Sequence, residues 1–70
     1  MKKVSIQING NPFQAEENAY LSSVLKKEGI FDSKGIAVAV NNIVIPKSNW
    51  EITLLKENDS ILIINASQGG

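Results

Sequence analysis

The chain contains no cysteine and no histidine, and this absence limits what its 70 residues can fold into. A domain this short has to be held by disulfides, by a bound metal or by its apolar core. Without thiols or imidazoles, only the core remains. The apolar content of 43% is about what one such core demands. We therefore expect a single small domain held together by packing alone.

The same absence removes several classes of chemistry. Zinc fingers, thiolate clusters, haem ligated by histidine, [2Fe–2S] ferredoxins, cysteine nucleophiles and histidine bases are all excluded. Seven acidic residues balance seven lysines, and arginine is absent. A chain of this kind has no general attraction to a polyanion and cannot make bidentate arginine contacts to phosphate. We expect no nucleic-acid partner.

The beginning of the chain does not have the pattern of a targeting segment. Apolar residues alternate with polar ones over residues 1–8, which is typical of a strand, whereas a signal peptide has a continuous apolar run. No stretch approaches the roughly 20 apolar residues of a membrane-spanning helix. Without cysteine, an oxidising compartment is not indicated either. We expect a cytoplasmic protein that does not contact a membrane.

The first 30 residues predict a hairpin followed by one helix. Asn9-Gly10 is a strong signal for a tight turn between two strands, the second over residues 12–15. A helical period then begins at Asn18, which we expect to be the N-cap of a helix. Gly29 predicts the end of this helix.

The remaining chain predicts further strands. Residues 36–40 are apolar on both faces, which is typical of a strand in or near the middle of a sheet. A turn at residues 41–42 leads to a strand over residues 43–45 near a sheet edge, because Pro46 ends the pairing. We expect a short strand over residues 51–55 and the last strand over residues 61–64.

This order of elements fits an α+β fold of the β-grasp type, also called ubiquitin-like. One main helix would pack on one face of a mixed sheet of four or five strands. If the last strand pairs beside the first, the chain leaves from the centre of the sheet. We expect the domain over residues 1–65 and a flexible C-terminal tail over residues 66–70, which has no apolar anchor larger than alanine.

The polar residues predict no catalytic site. The carboxylates are scattered through expected turns and helix ends, where they are solvated or act as caps. Asp59 is expected to accept hydrogen bonds from backbone N–H groups in the turn before the last strand. No glycine-rich phosphate loop is present. We expect neither a catalytic residue, nor a metal, nor a bound cofactor.

Gly69-Gly70 is the most informative feature of the sequence, although glycine is also common in frayed ends. A carboxylate on an extension without side chains can thread a narrow channel and reach the α-phosphate of ATP. Its carbonyl is then open to a nucleophile. The chain would be a reactant and not a catalyst.

Two further segments add to this feature. One runs over residues 39–50, from a turn through an apolar strand to Pro46 and Trp50, and the other covers residues 57–63. With Gly69-Gly70, they make the sequence resemble the ThiS family, the ubiquitin-like sulfur carrier proteins of thiamine biosynthesis. The resemblance covers nearly the whole chain.

The resemblance implies a reaction and its partners. An adenylyltransferase of the ubiquitin-activating type would use ATP to convert the Gly70 carboxylate into an acyl-adenylate. A cysteine desulfurase would supply the sulfur that replaces the adenylate. Thiazole synthase would consume the resulting thiocarboxylate. Ser67, Gln68 and Gly69 would thread the partner's active site.

Partner binding needs an apolar surface, and one helix covers only one face of a sheet. Alternate residues of a strand point to opposite faces, so either Ile43 and Ile45 or Val44 would lie on the uncovered face. We expect these residues, with Leu62 or Ile64, to dock the activating enzyme and the synthase; alternatively they fill a small core. Trp50 is expected to be a packing anchor.

Two other functions remain open at this point. The same tail chemistry serves the small subunit of molybdopterin synthase and ubiquitin-like modifiers that are joined to lysines. A β-grasp interaction domain that carries nothing is the third possibility, and in it the tail would be inert. Removal of Gly70 separates the carriers from the interaction domain.

Overall fold

The computed structural model describes residues 2–32 and 34–65. The predicted tail, residues 66–70, lies outside the described residues. The described chain forms a sheet, one α-helix and one 3₁₀ helix. Their bounds are β1 Lys3–Ile8, β2 Asn11–Glu16, α1 Leu21–Lys27, β3 Ile36–Val40, β4 Ile43–Val44, the 3₁₀ helix Lys47–Ile52 and β5 Ser60–Asn65.

The five strands form one mixed sheet in the order β2-β1-β5-β3-β4. β1 and β5 are parallel, and the other neighbouring pairs are antiparallel. The last strand therefore lies beside the first, in the centre of the sheet, and β4 is an edge strand. This arrangement confirms the predicted α+β fold.

Two tight turns rest on asparagine and glycine in the left-handed region. Asn9 and Gly10, with φ of 53° and 83°, join β1 to β2, and Asn41 and Asn42, with φ of 52° and 69°, join β3 to β4. Two successive positive φ values match the right-handed twist of the flanking strands. Asparagine and glycine adopt this conformation more readily than other residues, so the turns form where the sequence predicts them.

The helix begins later than predicted. Asn18 is not its N-cap: it has φ of 67°, and α1 starts at Leu21 with Tyr20 at the cap position and no side-chain cap. The Leu21 N–H donates instead to the carbonyl of Thr53, 2.7 Å away. A distant backbone group therefore satisfies one of the first N–H groups of the helix, which have no acceptor within the helix.

The end of α1 is where Gly29 predicts it. The Gly29 N–H donates to the Lys26 carbonyl and the Ile30 N–H to the Leu25 carbonyl, with Gly29 at φ of 78°. This pair of bonds closes a helix by the Schellman motif, which needs a residue with positive φ after the last turn. Ile30 then packs against the core.

The strand predicted over residues 51–55 is wrong. The 3₁₀ helix occupies Lys47–Ile52, and only an isolated bridge between Tyr20 and Leu54 follows it. The Trp50 indole N–H donates to the Ile45 carbonyl at 3.0 Å, and the Thr53 hydroxyl donates to the Asn49 carbonyl. These bonds hold the segment in a helical turn that buries the indole ring.

The core lies between α1, the 3₁₀ helix and one face of the sheet. Trp50 is 1% exposed and packs in a T-shaped pair with the Phe31 ring, so the prediction of a packing anchor is confirmed. No helix in the described parts of the chain is long and apolar enough to cross a bilayer. The buried apolar cluster consists of Ile6, Ile8, Ala15, Leu21, Val24, Leu25, Val38, Val40, Trp50, Leu55 and Ile61.

Candidate functional site

The register of the strands assigns each side chain to one face of the sheet. Residues opposite each other in neighbouring strands lie on the same face, and neighbours along a strand lie on opposite faces. Val38, Val40 and Ile61 belong to the core, so they mark the face that the helices cover. The residues between them point to the other face, which no described element covers.

Apolar side chains occupy the part of the uncovered face that β5, β3 and β4 form. Ala39 is opposite both Leu62 and Val44, and Ala37 is opposite Ile64. Val44 is 69% exposed, and Leu62 and Ile64 are each 47% exposed. These five residues form one continuous patch, which we call the open apolar face; Ala39 is buried within it and the other four are exposed. Exposed apolar patches of this kind mark sites of protein interaction.

The structure separates the residues predicted for docking. Val44, Leu62 and Ile64 lie together on the open apolar face. Ile43 is opposite the core residue Val40, so it points toward the helix side at the sheet edge, although it is 66% exposed. Ile45 is half-buried and packs against the core. Of the two arrangements that alternation allows, the structure therefore has the one with Val44 on the uncovered face.

The part of the same face that β1 and β2 form is polar. The Lys3 ammonium donates to a Glu16 carboxylate oxygen at 2.7 Å, and the Gln14 amide donates to the Ser5 hydroxyl at 2.9 Å. The hydrogen bond and the positive charge of Lys3 hold the pKa of Glu16 below its ordinary value of 4.5. The ion pair is therefore present at neutral pH and is lost as the pH falls through this pKa. A polar border thus flanks the open apolar face.

A network of side chains fixes the turn that leads into β5. One Asp59 carboxylate oxygen accepts the Lys56 N–H at 2.8 Å, and the other accepts the Asn41 side-chain amide at 2.9 Å. The Asn41 side-chain oxygen accepts the Ser60 N–H. Asn58 has φ of 70° in this turn, a conformation that asparagine tolerates. The role predicted for Asp59, binding backbone N–H groups, is confirmed for one such group, the Lys56 N–H.

A second side chain holds β5 beyond the end of β1. The register pairs β1 with β5 only at Gln7 with Ser60 and Ile8 with Ile61. The next residue, Asn9, donates its N–H to the Ile61 carbonyl at 2.8 Å and accepts the Ile63 N–H on its side-chain oxygen at 2.7 Å. β5 is thus hydrogen-bonded on this edge for one step further than the backbone of β1 reaches.

The residues predicted to carry the chemistry, Ser67, Gln68, Gly69 and Gly70, lie outside the described residues. The described part of the chain ends with β5, whose Leu62 and Ile64 belong to the open apolar face. The last residues of the sequence therefore follow directly from the strand that carries two of the five residues of this face. Within residues 2–32 and 34–65, no group of three acidic side chains is placed to hold a metal ion.

Sequence reasoning missed three residues around the site. Ala37 and Ala39 link the larger apolar side chains into one patch, and Asn9 bonds to β5. The alternation of residues 36–40 contains the signal for the two alanines, because it places them on the face opposite Val38. No pattern signals the Asn9 bond, since the Asn9-Gly10 pair predicts only the turn.

Comparison with known proteins gives a consistent result. The sequence model of the ThiS family matches residues 5–70. Two curated relatives, both named "Uncharacterized protein ycf40", come from Porphyra purpurea and Pyropia yezoensis. The Porphyra purpurea protein is 35% identical, and the match covers 99% of this chain and 96% of the relative. The Pyropia yezoensis protein is 34% identical, and the match covers 96% of this chain and 93% of the relative.

The fold is also similar to a solved structure. The crystal structure of the thiamine biosynthesis protein ThiS from Geobacter metallireducens matches with a TM-score of 0.80. The match covers 96% of this chain and all of the other, at 19% sequence identity. At this identity the likeness concerns the fold.

Proposed function

This chain belongs to the ThiS family, and on that basis we propose that it is a sulfur carrier protein of thiamine biosynthesis. The observation that carries the proposal is the family match over residues 5–70, which includes Gly69-Gly70. The β-grasp fold supports it, because the chain continues from the central strand of the sheet toward these glycines. On this proposal the chain is a reactant of the partner enzymes and has no catalytic site of its own.

The proposed reaction takes place at the Gly70 carboxylate. An activating enzyme of the ubiquitin-activating type joins this carboxylate to the α-phosphate of ATP, and pyrophosphate leaves. The outer sulfur of a persulfide that a cysteine desulfurase supplies then displaces AMP, and a thiol reductant cleaves the S–S bond of the resulting acyl disulfide, so that a thiocarboxylate forms. Thiazole synthase takes the sulfur from this group to build the thiazole ring. ATP is bound by the partner, and this chain binds no cofactor.

The open apolar face is the proposed docking surface for the activating enzyme and for thiazole synthase. Its exposed apolar side chains can bury area against a partner without any change in the core. Gly70 is the fifth residue after Asn65, and an extended chain of five residues spans at most about 18 Å. A partner that binds this face would therefore hold its active site near the Gly70 carboxylate.

The test is the mass of the chain after incubation with ATP, cysteine, a thiol reductant, and the activating enzyme and a cysteine desulfurase from the same organism. We expect a gain equal to the exchange of one oxygen for one sulfur. Oxidation of Met1 adds almost the same mass, so the product is also treated with an alkylating agent that reacts with thiolate-like sulfur. Because the chain has no cysteine, only a thiocarboxylate will carry the alkyl group.

A chain that lacks Gly70 is the matched control and is expected to gain neither sulfur nor the alkyl group. If the full chain stays unmodified while the activating enzyme is active on another carrier, the proposed function is wrong. Thiazole synthase and molybdopterin synthase are then offered the thiocarboxylate in separate reactions. Sulfur transfer to the second enzyme alone would assign the chain to molybdopterin synthesis.

A further inference from the structure

Asn9 holds β5 in an unusual way. In a parallel pair, one residue donates its N–H to the neighbouring strand and accepts an N–H two residues further along with its own carbonyl. Asn9 binds β5 with this spacing, through Ile61 and Ile63, but its acceptor is the side-chain oxygen. Its main chain, at φ of 53°, has meanwhile turned away toward β2. The side chain thus replaces the backbone of β1 for one more step.

This bond matters because of where it lies along β5. β3 pairs with β5 as far as Asn65, so this edge of the strand is held throughout. The opposite edge is held by β1 only to Ile61, and the Asn9 side chain extends the hold to Ile63. A strand bonded on both edges resists rotation about its neighbour better than a strand bonded on one. Ile63 lies only two residues before Asn65, where the described chain ends.

We propose that Asn9 is a positioning residue for sulfur transfer: its side chain fixes the direction in which the chain leaves the sheet toward Gly70. The inference rests on the proposed function. Reactions between a bound group and an active site depend steeply on position, and a displacement of about 1 Å can cost roughly 100-fold in rate. Asn9 lies in the β1–β2 turn, so it acts on the reacting carboxylate only through β5.

Substitutions at Asn9 can separate the turn from the hydrogen bond. Asn9→Gly keeps the positive φ without strain and removes the acceptor. Asn9→Asp keeps an acceptor oxygen and a residue that tolerates this φ. Asn18→Gly is the matched control, because Asn18 also has a positive φ, of 67°, and its side chain makes no hydrogen bond within the described residues.

The experiment measures three quantities on the full chain. Hydrogen exchange of the Ile63 amide reports the bond itself. Pyrophosphate release by the activating enzyme, with the carrier as the varied substrate, gives kcat and KM. Circular dichroism gives the folded fraction, to which the kinetic values are normalised.

For Asn9→Gly we expect Ile63 exchange to accelerate by about fivefold or more, the ratio that corresponds to one typical hydrogen bond. We expect kcat to fall by about tenfold or more while KM stays within about twofold, because the open apolar face is unchanged. Asn9→Asp should restore most of kcat, and Asn18→Gly should match the wild type. If the substitution only destabilised the fold, the folded fraction would fall, and the normalised kcat and KM would both stay at their wild-type values.

Several outcomes overturn the inference. It is wrong if Ile63 exchange is unchanged in Asn9→Gly, if kcat is unchanged although exchange accelerates, or if Asn18→Gly loses as much kcat. It is also wrong if Asn9→Asp fails to restore kcat. A wild-type chain that a competent activating enzyme does not adenylate overturns the proposed function, and the inference falls with it.

Discussion

At the scale of single residues, the fold depends on side chains that take the place of backbone groups. Asn9 continues the pairing of β1 with β5 at one end, and at the other end the Glu57 carboxylate accepts the Ser5 N–H at 2.9 Å. Asn41 and Asp59 do the same for the turn before β5. Asn9, Asn41 and Glu57 are exposed and Asp59 is buried, so the cost of losing a partner is greatest at Asp59.

The most buried of these groups gives a prediction for stability. Asp59 is 9% exposed, and its loss leaves the Lys56 N–H and the Asn41 amide without their acceptors. We expect Asp59→Ala to lower the free energy of unfolding by about 1–3 kcal/mol, measured by urea denaturation. The exposed Asp32→Ala is the matched control and should change it little. Equal losses in the two variants would contradict this account of the turn.

At the scale of elements, α1 is only seven residues long and has no side-chain cap at its start. Isolated helices of this length are not stable in water. The helix is therefore maintained by the packing of Leu21, Val24 and Leu25 and by the hydrogen bonds at its two ends. At the end of the helix, a single substitution of Gly29 is expected to lower the stability of the protein measurably.

Substitution of Gly29 tests this end of the helix. A Cβ atom at this position meets no other atom within 4 Å, so the cost arises from the φ of 78° alone. We expect Gly29→Ala to destabilise the protein by about 1–2 kcal/mol, as left-handed backbone costs an L-residue. Gly29→Asn should cost less, because asparagine is tolerated at this cap position. Thermal unfolding of both variants checks the order, and the reverse order would refute it.

Sequence reasoning succeeded where local chemistry decides the structure and failed where distant groups do. The turns at Asn9 and Asn41 and the end of α1 at Gly29 follow from the conformations that Asn and Gly allow. The start of α1 depends on the carbonyl of Thr53, more than 30 positions away, and the 3₁₀ helix depends on the burial of Trp50. The helix and strand propensities of the residues near these positions carry no information about such distant contacts.

The same distinction holds for the site. Alternation along the strands predicted an apolar face and left two choices for the segment from Ile43 to Ile45, because a period of two does not say which face the helix covers. The register with Ala39 settles that Val44 is on the open apolar face. The role in sulfur transfer that we propose for residues 67–70 rests on the sequence and the family match.

At the scale of the whole molecule, the two faces of the sheet differ in what covers them. One supplies the core, and the other carries an apolar patch beside the polar surface of β1 and β2. Exposed apolar side chains also occur at Tyr20, Ile52 and Leu54, away from the open apolar face. These residues supply a comparison for a docking experiment, since they are exposed to a similar degree.

Charge placed on the open apolar face tests docking. We expect Leu62→Lys to raise KM for the activating enzyme by about tenfold or more, as substitution of a central interface residue does. Stability should change little, because Leu62 is 47% exposed. Ile52→Lys, with 70% exposure on the 3₁₀ helix, is the matched control. If both variants have the wild-type KM in steady-state assays, this face does not dock the enzyme.

The central position of β5 has a consequence for how the protein is made. β5 is the last strand of the described residues, yet it joins β1 to β3, and its pairs with β1 connect residues 53 positions apart, Gln7 with Ser60 and Ile8 with Ile61. Folding cannot be completed on the ribosome before Ser60–Asn65 have emerged. An interrupted chain would consist of two incomplete pieces with open edges, a substrate for proteases. A molecule that has folded has therefore been translated at least to Asn65, the end of the strand from which residues 66–70 continue.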